Sequence, residues 1–157
     1  MTAPPTALRG GPRRRFLRAA VALLALGAGL PAQAAELLGF DSLYKANTVL
    51  GLVFAERTLA LRGQRVRLRG YMAPPLKPES TFFVLTREPV AICPFCSSDA
   101  EWPLDIVVIY ASRTVIPTDF SQRIEVEGRL EAGSFTDPVT GFVSQLRLRE
   151  ATFRPLH

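Results

Sequence analysis

The chain has 157 residues, 48% apolar and 21% charged, with 19 Lys+Arg against 14 Asp+Glu and a formal net charge of +5. That size suits one domain, and the apolar fraction excludes a wholly disordered chain. Two cysteines exclude a disulfide-dense mini-protein, and one histidine excludes a histidine-rich metal site.

Arg9, Arg13, Arg14, Arg15 and Arg18 lie within residues 1–34, which hold no acid. The apolar run Ala19–Leu30 follows, twelve residues long with Gly27 and Gly29 inside it. It falls short of the roughly 20 residues a helix needs to cross a bilayer. Ala32-Gln33-Ala34 then places small residues at the spacing of a cleavage site. This order predicts a secretory signal peptide over residues 1–34, cut after Ala34. Arg13-Arg14-Arg15-Phe16-Leu17-Arg18 fits the twin-arginine pattern, so that route is favoured over an ordinary Sec signal. No cysteine follows the cleavage site, which excludes the lipoprotein form. Residues 35–157 hold 14 basic and 14 acidic residues. The net charge therefore belongs to the targeting segment, and the expected compartment is the periplasm.

Residues 35–62 read as an N-terminal helical segment. Asp41-Ser42 serves as N-cap, and Leu43, Asn47, Leu50 and Phe54 fall at helical spacing. The expectation is a short helix near 41–50, broken by Gly51, then a second turn near 55–60 that stops at Gly63. From there the period switches to two. Arg65-Val66-Arg67-Leu68-Arg69 alternates like a half-buried strand, and Gly70 permits a bend or bulge. Phe82–Thr86 is a second strand. Asp105–Ala111 is a third, with Ile106–Tyr110 buried on nearly both faces. Arg123–Leu130 alternates cleanly as a fourth. After the turn residues Asp137–Gly141, a fifth strand runs over about 142–149. Phe153 is out of phase with Leu146 and Leu148, which predicts a bulge beyond Leu148.

Five short strands predict a mainly β domain over residues 63–157, a five-stranded OB-like barrel. The usual helix between strands three and four has no room in Ser112–Ser121, which contains Pro117. The N-terminal helix is expected to cover the open end instead.

The one compact chemical signal is Cys93-Pro94-Phe95-Cys96. Thiols at this spacing can close on each other or share a metal. The spacing resembles thioredoxin-like redox sites, but Pro103 and a short span leave no room for the long helix that lowers a thiol pKa there. A zinc site normally takes four ligands. Asp99 is the nearest third candidate, with Glu101, Asp105 and His157 behind it. A disulfide closing so short a loop adds about 2 kcal/mol by chain-entropy reasoning, less than a longer loop would. Three readings stay open: a metal contact through Cys93, Cys96 and Asp99 with zinc or copper(I), thiol exchange with Cys93 attacking and Cys96 resolving, and an inert disulfide.

Arg62, Arg65, Arg67 and Arg69 form an outward row that could face a nucleic acid. Strand four presents Glu125, Glu127 and Glu131 outward, and in an OB-like barrel it neighbours strand one. Cross-strand ion pairs are therefore expected to absorb the row, and no nucleic-acid partner is expected. Trp102, Phe82, Phe83 and Phe95 are read as packing rather than a ligand surface. No nucleophile elbow, phosphate loop or zinc-protease motif is present.

Gly70-Tyr71-Met72-Ala73-Pro74, the strand Phe82–Leu85 and a cysteine-bearing loop before Ile106–Tyr110 resemble an uncharacterised bacterial family of small exported OB-like proteins. The resemblance spans roughly residues 40 to 150. Many members carry Cys-x-His at the loop, so Cys96 stands in for that nearby histidine. Some relatives lie beside ABC transporter genes linked to metal uptake. The resemblance implies an envelope accessory role with a transporter component as partner, and no stable membrane span after signal cleavage. The expected function is a non-enzymatic binding or transport-accessory protein. A thiol–disulfide oxidoreductase and a structural module are the alternatives.

Overall fold

The computed structural model describes Thr2 and residues 34–48, 51–74, 80–91 and 103–157. Residues 3–33, the body of the expected signal peptide, lie outside the described residues.

The segment expected to be helical is mostly extended. Glu36–Leu38 is a short strand, β1, and Phe40–Ser42 makes one 3-10 turn. Tyr44–Thr48 (β2) and Gly51–Phe54 (β3) pair antiparallel, with Thr48 opposite Gly51. The helix expected over 41–50 is not formed. Gly51 has φ 111°, in the left-handed region that a right-handed helix cannot contain. The spacing of Leu43 and Phe54 that reads as one helical face has another cause. Leu43 is fully buried at the end of the 3-10 turn, and the Tyr44 ring stacks on Phe54 across the strand pair at 5.3 Å. Ala55 N–H donates to the Leu43 carbonyl, closing the pair (3.1 Å). The second turn is formed as expected: Glu56–Ala60 is a single helical turn, α1. Gly63 ends it with φ 83° and donates its N–H to the Leu130 carbonyl at 2.8 Å.

The rest is strand, and the fold is mainly β. Arg65–Met72 (β4) buries Val66, Leu68, Gly70 and Met72 and turns Arg65, Arg67, Arg69 and Tyr71 outward. Phe82–Thr86 (β5) and Ile106–Ala111 (β6) pair antiparallel, Phe82 opposite Tyr110 and Thr86 opposite Ile106. Arg123–Thr136 (β7) and Val143–Pro155 (β8) form a long antiparallel hairpin. Both extend about six residues beyond the alternation that marks them in sequence. No helix occupies residues 112–121.

The sheet order is β1-β4-β5-β6-β8-β7, with β7 also paired to β4. β4 carries β7 along one edge from Arg65 to Tyr71. Its other edge is shared, β1 taking Val66–Leu68 in parallel and β5 taking Tyr71–Met72. β6 and β8 run parallel. Two glycines let the strands come this close. A Cβ on Gly70 would lie 2.3 Å from the Thr86 carbonyl oxygen, and one on Gly128 would lie 2.9 Å from the Arg149 carbonyl oxygen. Opposite Gly128 the register shifts between Glu127 and Arg129, and Glu150 takes φ 50°. This is the bulge expected beyond Leu148, and it returns Phe153 to the core side.

The main core joins Leu43, Leu68, Leu85, Ile109, Leu130 and Leu148, all fully buried. Each such side chain contributes roughly 1.5–3 kcal/mol relative to exposure. Phe40 and Leu43, from the 3-10 turn, add the N-terminal contribution expected of a helix. Ile106, Val107, Val108 and Ile109 are all buried, so β6 is covered on both faces as its unbroken apolar run implies. No helix among the described residues is long and apolar enough to cross a membrane.

Candidate functional site

Cys93, Cys96 and Asp99 lie outside the described residues, as do Glu101, Trp102 and Phe95. The ends of the strands that flank this span are described. Thr86 Oγ1 donates to the Glu88 carbonyl (2.7 Å) and lies 3.2 Å from the Tyr71 carbonyl, and Arg87 N–H donates to the Asp105 carbonyl (2.9 Å). Among the described residues no three of His, Cys, Asp and Glu come together as a metal cluster. Asp105 and His157 are both exposed. The aromatic pair Phe82 and Phe83 is split by strand alternation. Phe83 is buried edge-on to Phe153 (5.3 Å), while Phe82 faces outward onto Tyr110 (5.8 Å) and Phe142 (5.9 Å).

The arginine row on β4 is taken up by β7, as the sequence leads one to expect. Arg65 pairs with Glu127 at 3.0 Å, and Arg69 with Glu125 at 2.8 Å. Arg67 lies 3.7 Å from the same Glu125, and Arg154 from β8 adds a bond at 2.6 Å. Glu125 is thus covered by arginine side chains and only 4% exposed. The Arg69 hydrogen bond first, and then Arg154, hold its carboxyl below the usual carboxylate range against the burial that would raise it. Arg62 lies outside the ladder, in the turn after α1.

Glu131, expected to join that ladder, instead belongs to a second cluster on the outer face of β6, β7 and β8, because its partners are Arg147 and Arg149 of β8. Strand parity and register place Tyr110 on β6, Arg147 and Arg149 on β8, and Arg129 and Glu131 on β7 side by side. Phe135, further along the hairpin, meets Tyr110 edge-on at 6.2 Å. The Arg149 guanidinium lies 4.1 Å from the Tyr110 ring centroid and 4.4 Å from that of Phe135, and Arg147 lies 4.6 Å from Phe135. These are cation–π distances. Glu131 Oε2 accepts from Arg147 Nε at 2.6 Å and lies 3.4 Å from Arg149 Nε. Burial alone would raise the Glu131 carboxyl, but the bond and charge of Arg147, then Arg149, hold it below the ordinary range. Arg147, only 9% exposed, also donates through Nη1 to the Gly133 carbonyl at 2.8 Å. Burial, then the Asp137 carboxylate, pushes the Tyr110 phenol up to about 12. Its hydroxyl is buried without a hydrogen-bond partner of good geometry among the described residues. An open cleft of about 590 Å³ adjoins the cluster, lined among others by Thr81, Tyr110, Ser112, Arg129, Glu131 and Arg149.

No family model matches the chain, and no curated protein does. Among solved structures, it is similar to the crystal structure of a DUF3299 family protein from Pseudomonas aeruginosa PAO1. The TM-score is 0.52 and the identity 18%, over 79% of this chain and 97% of that one. The likeness is one of fold. It covers nearly all of the Pseudomonas protein, so the shared part is a whole chain's architecture rather than a single hairpin.

Strand residues that point outward are hard to rank from sequence, because solvent and partner look alike there. Arg147-x-Arg149 between Leu146 and Leu148 was a usable sign. Two like charges two residues apart on one strand face need neighbours, and Phe135 and Phe142 flank the turn that brings β7 back.

Proposed function

We propose that this chain is an exported, non-enzymatic binding or transport-accessory protein of the cell envelope. It is built on a five-stranded OB-like barrel and has Cys93 and Cys96 as its working centre. The observation that carries the architecture is the strand order. β4, β5, β6, β8 and β7 follow one another and the last pairs with the first, with β6 and β8 parallel. Such an order supports a small closed sheet, whose connections are free to carry function. The Cys-Pro-Phe-Cys tetrapeptide belongs by sequence to the connection between β5 and β6.

Export rests on the basic run, the short apolar run and Ala32-Gln33-Ala34, and on a twin-arginine route that carries folded proteins. In an oxidising compartment two thiols pair unless something holds them apart. A soft metal ion does so: thiolates suit copper(I), and with Asp99 and one further ligand they suit zinc. An envelope transporter component is the partner proposed.

The test is to purify residues 35–157 from the periplasm, count free thiols and measure bound metal. Near-stoichiometric zinc or copper is expected, and Cys93→Ser loses it. Metal-free protein with a readily reduced Cys93–Cys96 bridge active in thiol exchange overturns this reading in favour of an oxidoreductase. A metal-free chain whose bridge resists reduction overturns it in favour of a structural module.

A further inference from the structure

We propose that the cleft beside β6 and β8 is a recognition site for a small molecule bearing a singly charged carboxylate, gripped by the Arg149 guanidinium. This site is independent of the thiol pair.

The case begins with how the charges around the cleft are committed. Arg129 Nη2 bonds both oxygens of Glu150, at 2.9 and 2.8 Å. Arg147 takes Glu131 at 2.6 Å and is nearly buried. Arg149 reaches the same Glu131 oxygen only through Nε, at the long distance of 3.4 Å. Its two terminal nitrogens have no acceptor among the described residues. Arg149 is therefore the cation in this cluster that lacks a carboxylate of its own.

It is also held still. Contacts to the Tyr110 and Phe135 rings fix the plane of the guanidinium, while 29% of the side chain stays exposed where it lines the cleft. A planar fork that is ordered beforehand loses little entropy on meeting an acceptor, and its parallel N–H groups match the two oxygens of a carboxylate. Tyr110 stays neutral at physiological pH, so the ring that supports Arg149 does not cancel its charge. The exposed hydroxyl residues Thr81 and Ser112 line the same cleft and can donate further hydrogen bonds. The cleft, about 590 Å³, lies in the size range of small-molecule sites.

The same geometry selects the charge. Glu131 and Glu150 border the cleft, and Asp137 stands beside Tyr110. Three arginines face these three carboxylates, and Arg149, which shares Glu131 with Arg147, has its terminal N–H groups left for one further carboxylate. A dianionic phosphate would set its second charge against those three carboxylates.

Benzoate and inorganic phosphate are the probes, titrated at pH 8 into the full isotope-labelled protein while the side-chain Nε–H signals of the arginines are followed by NMR. Benzoate is expected to shift the Arg149 signal saturably, with a dissociation constant on the order of 1 mM. Phosphate is expected to bind about tenfold more weakly. Arg149→Gln should weaken benzoate about tenfold, and Arg149→Lys, which keeps the charge without the fork, by a similar factor. Arg113→Gln, removing an exposed charge elsewhere, should leave it unchanged. The proposal is overturned if benzoate does not saturate, if either Arg149 variant binds it as the parent does, or if Arg113→Gln weakens it equally. Tighter binding of phosphate than of benzoate overturns the carboxylate assignment.

Discussion

On the outer face of β4, Arg65, Arg67 and Arg69 meet Glu125 and Glu127 across the β4–β7 ladder. On the outer face of β8, Arg147 and Arg149 meet one shared acid, Glu131, and two aromatic rings, Tyr110 and Phe135. Both arrays come from the same pattern, arginine at every second position of a strand. In the first, two carboxylates on the facing strand serve all three arginines, Glu125 taking both Arg67 and Arg69. In the second, one carboxylate serves two arginines, and the quadrupoles of aromatic rings add to their support. Ring faces stabilise a guanidinium without occupying its hydrogen-bond donors. An arginine held by rings stays available to a ligand, whereas an arginine held by a carboxylate does not. Alternating arginines thus carry different meanings according to what the neighbouring strand offers.

Substitution of the acids separates the two arrays. Glu131→Ala should have the largest effect, because it leaves the 9%-exposed Arg147 without its carboxylate. A buried charge stripped of its partner costs several kcal/mol, and we expect about 2–3 kcal/mol in denaturant unfolding. A loss below about 0.5 kcal/mol would mean that Gly133 and Phe135 suffice to hold Arg147. Glu125→Ala comes second, at about 1–2 kcal/mol. Its carboxylate is covered, but by arginines that are themselves 33–65% exposed and can turn to solvent. Glu127→Ala, breaking an exposed pair, should stay within about 0.5 kcal/mol. Acid titration follows the same logic. Glu125, Glu131 and Asp137 have lowered carboxyl pKa values. Their contribution is complete above the ordinary carboxylate range and is lost as pH falls through the depressed folded values. Wild type should therefore lose more stability on acidification than Glu125→Ala does.

Much of the strand framework was legible because burial imposes a period of two on it. Val66 and Leu68 between arginines, Ile124 and Val126 between charged residues, and the unbroken run Ile106–Ile109 each fix a strand and its inner face. The Arg–Glu ladder was legible for the same reason, since opposite charges on adjacent strands need each other. The helix over 41–50 failed because Leu43 and Phe54 serve two different contacts whose spacing coincides with a helical face. The strand pair there is set by Gly51, whose positive φ leaves no mark in a hydrophobic pattern. Of the Arg149 cleft, the Arg147-x-Arg149 spacing was the legible part, because the other residues are distant in sequence. The β7–β8 hairpin brings Glu131 to Arg149, and the parallel β6–β8 pairing adds Tyr110.

The smallest effect is at Tyr110, and it tests whether the rings of the second array are as enclosed as the charges require. The hydroxyl makes no well-formed hydrogen bond among the described residues, so Tyr110→Phe should leave stability at neutral pH within about 0.5 kcal/mol. Alkaline behaviour should differ. Burial and the Asp137 carboxylate push the phenol from an ordinary 10.0 to about 12. A raised tyrosine pKa means that the fold favours the neutral ring. That contribution is complete below the unfolded value and is lost as pH rises from about 10 to about 12. Tyrosinate absorbance, taken as wild type minus Tyr110→Phe, should rise with a midpoint near 12. A midpoint near 10.0 would place the ring in solvent, free of Asp137, and would remove the wall against which Arg149 is held.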